Sequence, residues 1–200
     1  MKKKIIRISV IFLVGLFSCS AYGQFGVKGG IGVASISVKT QGVKNNLFQG
    51  VFSFHVGGTY QIEVSDIISI ESGVLLTQKG FKIVANNQSL KSKLLFIEVP
   101  VTAKGYVFDI GDEARLYGLA GGYMGFMLSN KINGVKFPIG NTPNNLLKGF
   151  DAGLTFGGGI ELFESLAISL SADIGLANLS NDVNETSRLN VFKLSVGYMF

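Results

Sequence analysis

The stretch "LAISLSADIGLA", residues 166–177, decides the fold. Its even positions are Leu166, Ile168, Leu170, Ala172, Ile174 and Leu176, and its odd positions are Ala167, Ser169, Ser171, Asp173, Gly175 and Ala177. An apolar face alternating with a small and polar one is the period of an extended strand, whose successive side chains point to opposite sides of a sheet. The same alternation recurs along the chain and marks eight strands, at about 25–36, 47–63, 67–79, 93–108, 114–129, 149–163, 166–178 and 188–200. In the second, Phe48, Phe52, Phe54, Val56, Tyr60 and Ile62 oppose Gln49, Ser53, His55, Gly57, Thr59, Gln61 and Glu63. In the fourth, Leu95, Ile97, Val99, Val101, Ala103 and Val107 oppose Phe96, Glu98, Pro100, Thr102, Lys104 and Tyr106; Pro100 warns of an edge or a bulge, since proline donates nothing to a ladder. The fifth carries glycine and apolar residues on both faces, so its orientation stays open.

The chain begins with Lys2, Lys3, Lys4 and Arg7, then an apolar run and Ala21-Tyr22-Gly23. That order reads as a secretory signal over residues 1–23, with a mature barrel domain over 24–200. Cys19 leaves a lipid-modified start open as the rival reading. Of the 18 Lys and Arg, four lie in the leader, leaving 14 against 13 Asp and Glu, so the basic isoelectric point gives no support for nucleic-acid binding. No later stretch has the 18 or more apolar residues of a membrane helix, so entry into a bilayer has to be by strands.

The links alternate in length. Residues 63–67, 109–113 and 163–165 are tight turns, whereas 37–46, 80–92, 130–148 and 179–187 read as long polar loops. Short turns at one end and long loops at the other are the pattern of an outer-membrane barrel, here all-β, eight-stranded, antiparallel and up-and-down, with both termini periplasmic. The alternative is a soluble barrel or sandwich with the apolar faces as its core. The polar faces argue against it, because they hold Gly, Ser and Thr with isolated charges in place of the Lys and Glu of a wetted surface.

With the barrel inverted, the inward positions include Lys28, Lys79, Lys104 and Lys193 together with Glu63, Glu71, Glu98, Glu161, Asp151 and Asp173. Charges of opposite sign in a lumen only wide enough for side chains can partner one another, which makes them a structural polar plug. The sole histidine, His55, falls on the same face and reads as part of that filling. Catalysis would need a base beside a nucleophile, and a metal would need more than one histidine and scattered carboxylates, so no enzyme, cofactor or metal is expected. The runs Gly29-Gly30, Gly121-Gly122 and Gly157-Gly158-Gly159 lie inside strands with no following helix and are no nucleotide motif. The loops carry Lys39, Lys44, Lys82, Lys91, Lys131, Lys136 and Arg188 against Asp182 and Glu185, while the turns carry Asp66, Asp109, Asp112, Glu113 and Glu164. Lys39, Lys44, Lys131 and Lys136 are therefore candidates for contact with lipopolysaccharide phosphates, as against simple hydration of the loops.

The segments "FGVKGGIGVASI", "LLFIEVPVTAKGYVF", "LYGLAGGYMGFMLS", "DAGLTFGGGIEL" and "FKLSVGYMF" resemble the PorT-like outer-membrane β-barrel proteins of Bacteroidetes-type bacteria. The resemblance covers the mature chain through many weak glycine-and-aromatic signatures. It implies outer-membrane insertion, with the last strand (Phe192, Leu194, Val196, Tyr198 and Phe200) read by the barrel-assembly machinery. It also implies a non-enzymatic role as a structural envelope component or an accessory of protein secretion or surface export, with secretion-system partners. A small pore or lumenal ligand-binding barrel is the alternative role, followed by a lipid-modifying enzyme.

Overall fold

The computed structural model describes residues 23–40, 43–45, 48–85, 88–111, 113–142, 145 and 147–200. Cys19 and the leader up to residue 22 lie outside the described residues. Eight long strands make the wall: β1 (Gly23–Thr40), β4 (Val51–Ser65), β5 (Ile68–Ala85), β6 (Gln88–Ile110), β7 (Ala114–Ile132), β9 (Phe150–Leu162), β10 (Leu166–Gly175) and β11 (Glu185–Met199). Three short ones, β2 (Val43–Asn45), β3 (Phe48–Gln49) and β8 (Val135–Phe137), extend it at the loop end. Each wall strand pairs antiparallel with its neighbours in chain order, and β1 pairs with β11 from Gly26↔Met199 to Thr40↔Glu185, which closes the ring. Closure leaves no sheet edge, the condition for strands to span hydrocarbon.

Burial is inverted relative to a water-soluble sheet. In β10, Leu170 is 52% exposed and Ile174 47%, whereas Ser169 is 4% and Asp173 1%. The same holds round the ring: Val27, Phe52, Val74, Val101, Met124, Phe156 and Leu194 stand outside, and Ser53, Thr59, Thr77, Thr102, Thr155 and Ser195 are buried inside. A soluble sandwich would place those two sets the other way round.

β7 takes a definite orientation. Tyr117, Leu119, Tyr123 and Met127 point inward, and Leu116, Met124, Phe126 and Leu128 outward. The two tyrosines fit because glycine faces them across the β7–β9 pair. A Cβ at Gly159 would lie 2.6 Å from the Tyr117 hydroxyl, and one at Gly153 would lie 2.7 Å from the Tyr123 ring. Next to Leu128 the register slips, with Leu95 opposite Ser129 and Phe96 opposite Met127, so the inward parity moves from Met127 to Asn130.

Pro100 marks no edge. It lies in β6 opposite Tyr123 of β7, and the β5–β6 ladder is interrupted between Ser72↔Val101 and Leu75↔Glu98, where Ser72 Oγ donates to the Pro100 carbonyl at 2.9 Å. The ring therefore absorbs the missing donor as a local gap.

The expected loops 37–46 and 80–92 are largely strand, and the start of 130–148 is a hairpin. β5 and β6 stay paired up to Ala85↔Gln88, and β7 continues to Ile132 before a turn at Asn133 (φ 47°) and Gly134 (φ 89°) leads into β8. A bilayer span needs only about 9–11 tilted residues. The 23 residues of β6 therefore carry the wall well past the hydrocarbon, where Lys82, Lys91 and Lys93 make the outward face polar while Phe81, Ile83 and Leu94 keep the inward one apolar, so the apolar-out alternation of a membrane strand inverts. The expected second strand is split around Gly50 into β3 and β4, the seventh stops at Gly175, and the eighth begins earlier, at Glu185.

The outward assignment predicts that Leu170→Arg destabilises the inserted barrel by about 2–4 kcal/mol near the midplane, whereas Leu170→Val changes it little. Reversible unfolding in lipid vesicles measures both. Equal cost for the two variants would contradict a lipid-facing Leu170.

Candidate functional site

Inward residues come from every wall strand, and the pleat fixes the tier each one occupies. Nearest the turns, β5 supplies Glu71, β6 Lys104 and Tyr106, β1 Lys28, β4 Gln61 and β9 Glu161. The Glu71 carboxylate is held between two ammonium groups, Lys28 at 2.6 Å and Lys104 at 2.8 Å. Lys104 also donates to Gln61 Oε1 at 2.5 Å and lies 3.9 Å from Glu161, to which the Tyr106 hydroxyl donates at 2.9 Å. The Lys104 ammonium is 5.2 Å from the centre of the Tyr117 ring.

A second group lies on the β9–β10–β11 side. Lys193 pairs with Asp173 at 2.6 Å, and Thr155 Oγ1 donates to the other oxygen of Asp173 at 2.8 Å. His55 is buried with its Nε2 3.0 Å from Ser195 Oγ. Closer to the loops, Lys79 pairs with Glu98 and with Asp151, the latter at 3.0 Å, and its ammonium lies 4.2 Å from the Tyr123 ring centre. Lys79 and Asp151 have no exposed surface at all. Every lumenal carboxylate in these three groups has a lysine within ion-pair distance, the arrangement that makes buried charge tolerable.

Glu63 does not join them. It keeps the inward parity of β4, but it sits at the turn-end rim where the register slips between Glu63 and Ser65, and it is exposed. The bulge and the end of the strand put it in solvent.

Above the charges the lumen turns apolar. Ile36, Val38, Phe81, Leu94, Phe96, Met127 and Leu189 from the wall pack with Leu147 and Leu179 from two loops, and Ile83 and Ile139 lie against them. The loops are stitched across the mouth. Leu147 bridges both Ile139 and Ser180, Lys148 N donates to the Leu179 carbonyl at 2.8 Å, and the Asn181 amide donates to the Gly140 and Asn145 carbonyls, each at 2.8 Å. The Asn178 side-chain oxygen Oδ1 accepts from the Ser180 and Ser187 backbone amides at 3.0 and 2.8 Å. This cap has no counterpart among the sequence-based candidates. The available signal was the inward parity of Ile36, Val38, Phe81 and Leu94 beyond the last inward charges.

The four candidate loop lysines fall into two sectors. Lys131 stands opposite Lys136 on β7–β8, and Lys39 stands opposite Lys44 on β1–β2 across the ring. The side chain of Lys44 lies outside the described residues.

A closed antiparallel ring with an apolar exterior, a paired-charge lumen and a capped mouth defines a membrane-spanning β-barrel. The chain belongs to the outer membrane protein beta-barrel domain family, which it matches over residues 18–181, and that membership places it in the outer membrane. Among solved structures it is similar to the outer membrane protein OprG from Pseudomonas aeruginosa, with 14% identity, 90% of this chain and 96% of that chain covered, and a TM-score of 0.53. It is also similar to the E. coli outer membrane protein W, with 20% identity over 90% of this chain and 98% of that chain at a TM-score of 0.48. For Neisserial surface protein A the values are 15% identity, 88% and 97% coverage, and a TM-score of 0.48. At such identities the likeness to OprG shows the fold alone. No curated protein matches the sequence.

The geometry around Lys79 predicts an asymmetric response. Lys79→Met leaves Glu98 and Asp151 buried without their cation and should cost about 3–5 kcal/mol, whereas the triple change K79M/E98Q/D151N, which removes the charges together, should recover most of that loss. Urea unfolding of the detergent-solubilised barrel measures the difference. Equal stability of the single and triple variants would contradict the pairing.

Proposed function

We propose that this protein is a non-enzymatic structural component of the outer membrane, a closed barrel of PorT-like kind that supports the envelope or serves as an accessory of export, with both termini on the periplasmic side. The observation that carries this reading is the double filling of the lumen, paired charges through the span and an apolar cap at the mouth. Eight strands leave an interior only wide enough for side chains, and here the side chains occupy it. A structural role for the Lys28, Lys79, Lys104 and Lys193 pairs follows from the same packing. The close His55–Ser195 contact supports no catalysis in this reading, because both residues are buried and so lack a route for substrate. Assembly through the barrel-assembly machinery is supported by the outward row of Phe192, Leu194, Val196 and Tyr198 on β11, followed by Phe200, whose ring lies 5.5 Å from that of Tyr198. The likeness of the glycine-and-aromatic segments to PorT-like proteins supports the export association.

Planar-bilayer recording of the purified protein tests the blocked lumen. The expected result is no sustained conductance from the parent and none from Leu147→Ala/Leu179→Ala, since the ion pairs still fill the span beneath a loosened cap. Sustained current from the parent would replace this reading with a small pore. Current from the cap variant alone would assign the block to the loops and not to the lumenal charges.

A further inference from the structure

The outer surface at the loop end of β5–β8 carries five lysines in one connected row. The register sets Lys82 opposite Lys91, Lys93 opposite Lys131, and Lys131 opposite Lys136. Residues directly opposite in an antiparallel pair share a face, as do positions two apart, so Lys91 and Lys93 join the pairs into a single outward patch across four strands. Like charges directly opposite one another destabilise a sheet. Among the described residues no carboxylate forms an ion pair with them: the acids lie in the lumen, at the turn end, at Asp182 in the β10–β11 connection, or at Glu185, the first residue of β11.

The height of the patch identifies what it meets. On β6 the outward series Val101, Val99, Ile97, Leu95 passes directly into Lys93 and Lys91. On β5 Val74 and Leu76 pass through Gln78 to Lys82, and on β7 Phe126 and Leu128 give way to Lys131. The lysines therefore begin where the lipid-facing band stops. A concavity of about 560 Å³ opens there, lined by Lys91, Lys93 and Lys131 with Gln78, Leu95 and Ser129. Its scaffold is fixed, because the Asn133 side chain accepts from the Lys91 amide at 2.9 Å and the Asn133 amide donates to the Lys91 carbonyl at 3.0 Å, tying the β7–β8 turn to β6.

We infer that the Lys82–Lys91–Lys93–Lys131–Lys136 row is a binding site for the headgroup of a bisphosphorylated outer-leaflet glycolipid, with its acyl chains lying on the apolar band below. Four strands at about 4.8 Å spacing spread the row over roughly 14 Å, too wide for one phosphate and suited to two. The continuity of charge with the apolar face selects a lipid over a free anion, since only a lipid occupies both. Lys131 and Lys136 are thus joined by Lys82, Lys91 and Lys93, while Lys39 belongs to a separate sector. The inference rests on the lipid-facing assignment of the outer band and on the proposed orientation, with the termini periplasmic and the loop end outermost, and is independent of the blocked lumen.

The test titrates the full-length barrel in zwitterionic micelles with bisphosphoryl lipid A and with its monophosphoryl form, and compares the parent with K93Q/K131Q, the charge-retaining K93R/K131R, and K39Q/R188Q from the other side of the ring. A lysine beside an anionic headgroup contributes a factor of about five in affinity, so K93Q/K131Q should bind bisphosphoryl lipid A about 25-fold more weakly, with K93R/K131R and K39Q/R188Q near the parent. Without anionic lipid, K93Q/K131Q should melt no lower than the parent, because cross-strand repulsion is relieved; adding bisphosphoryl lipid A should raise the parent's midpoint and leave the variant's unmoved. Should K93Q/K131Q fail to fold, K131Q alone should show a loss of about fivefold. Equal binding of the two lipid forms by the parent, an equal loss in K39Q/R188Q, or displacement of the lipid by millimolar inorganic phosphate would each overturn the assignment.

Discussion

Closure of the ring through the β1–β11 ladder is the constraint on which everything else depends. Within hydrocarbon an unpaired backbone amide or carbonyl has no water to turn to, and each costs several kcal/mol. The ladder from Gly26↔Met199 to Thr40↔Glu185 joins the two ends of the sheet and satisfies both at once. Once the ring is closed, the pleat sorts side chains into a lipid set and a lumen set with no third option. A strand such as β10 must then place Leu170 outside and Asp173 inside.

The lumen that results is small, and its contents follow from that size. Water cannot solvate Lys79 or Asp151 there, so charge is admitted only with a partner from another strand, and the ion pairs tie β1 to β5, β5 to β6 and β9, and β10 to β11. Such pairs add little net stability over an apolar filling of equal volume, but breaking one is expensive. Here Lys28–Glu71 and Lys79–Asp151 reach past the neighbouring strand, joining β1 to β5 and β5 to β9 through the lumen. The apolar cap does the complementary work at the mouth, where Leu147 and Leu179 give two loops a reason to fold inward.

The outer face was legible because its requirement is one-dimensional: every second residue apolar, as in residues 166–177. The inward charges were legible by the same parity. Their partners were not, because Lys28 meets Glu71 only after the register and the curvature of the ring are fixed. β7 was unreadable alone, since Tyr117 and Tyr123 turn inward only because Gly159 and Gly153 face them on β9. The wall above the membrane was hidden for a different reason. There the outward face meets water and the inward one packs beneath the cap, so the apolar-out pattern inverts and Lys82 and Lys91 read as loop although their backbones are paired. Lys93 opens the fourth expected strand, and only the β6–β7 pairing sets it beside Lys131. Leu147, which follows Leu146, and Leu179 lie in otherwise polar stretches and carry no periodic signal.

The central claim is the inversion of the sheet, and the absence of tryptophan from the sequence allows a direct measurement of it. L170W, reconstituted in bilayers of lipids brominated along the acyl chain, supplies one fluorophore on the face assigned to lipid. The account predicts strong quenching by the brominated chains and little by aqueous iodide. Quenching by iodide with no effect of brominated lipid would place Leu170 in contact with water and contradict the barrel's assigned faces.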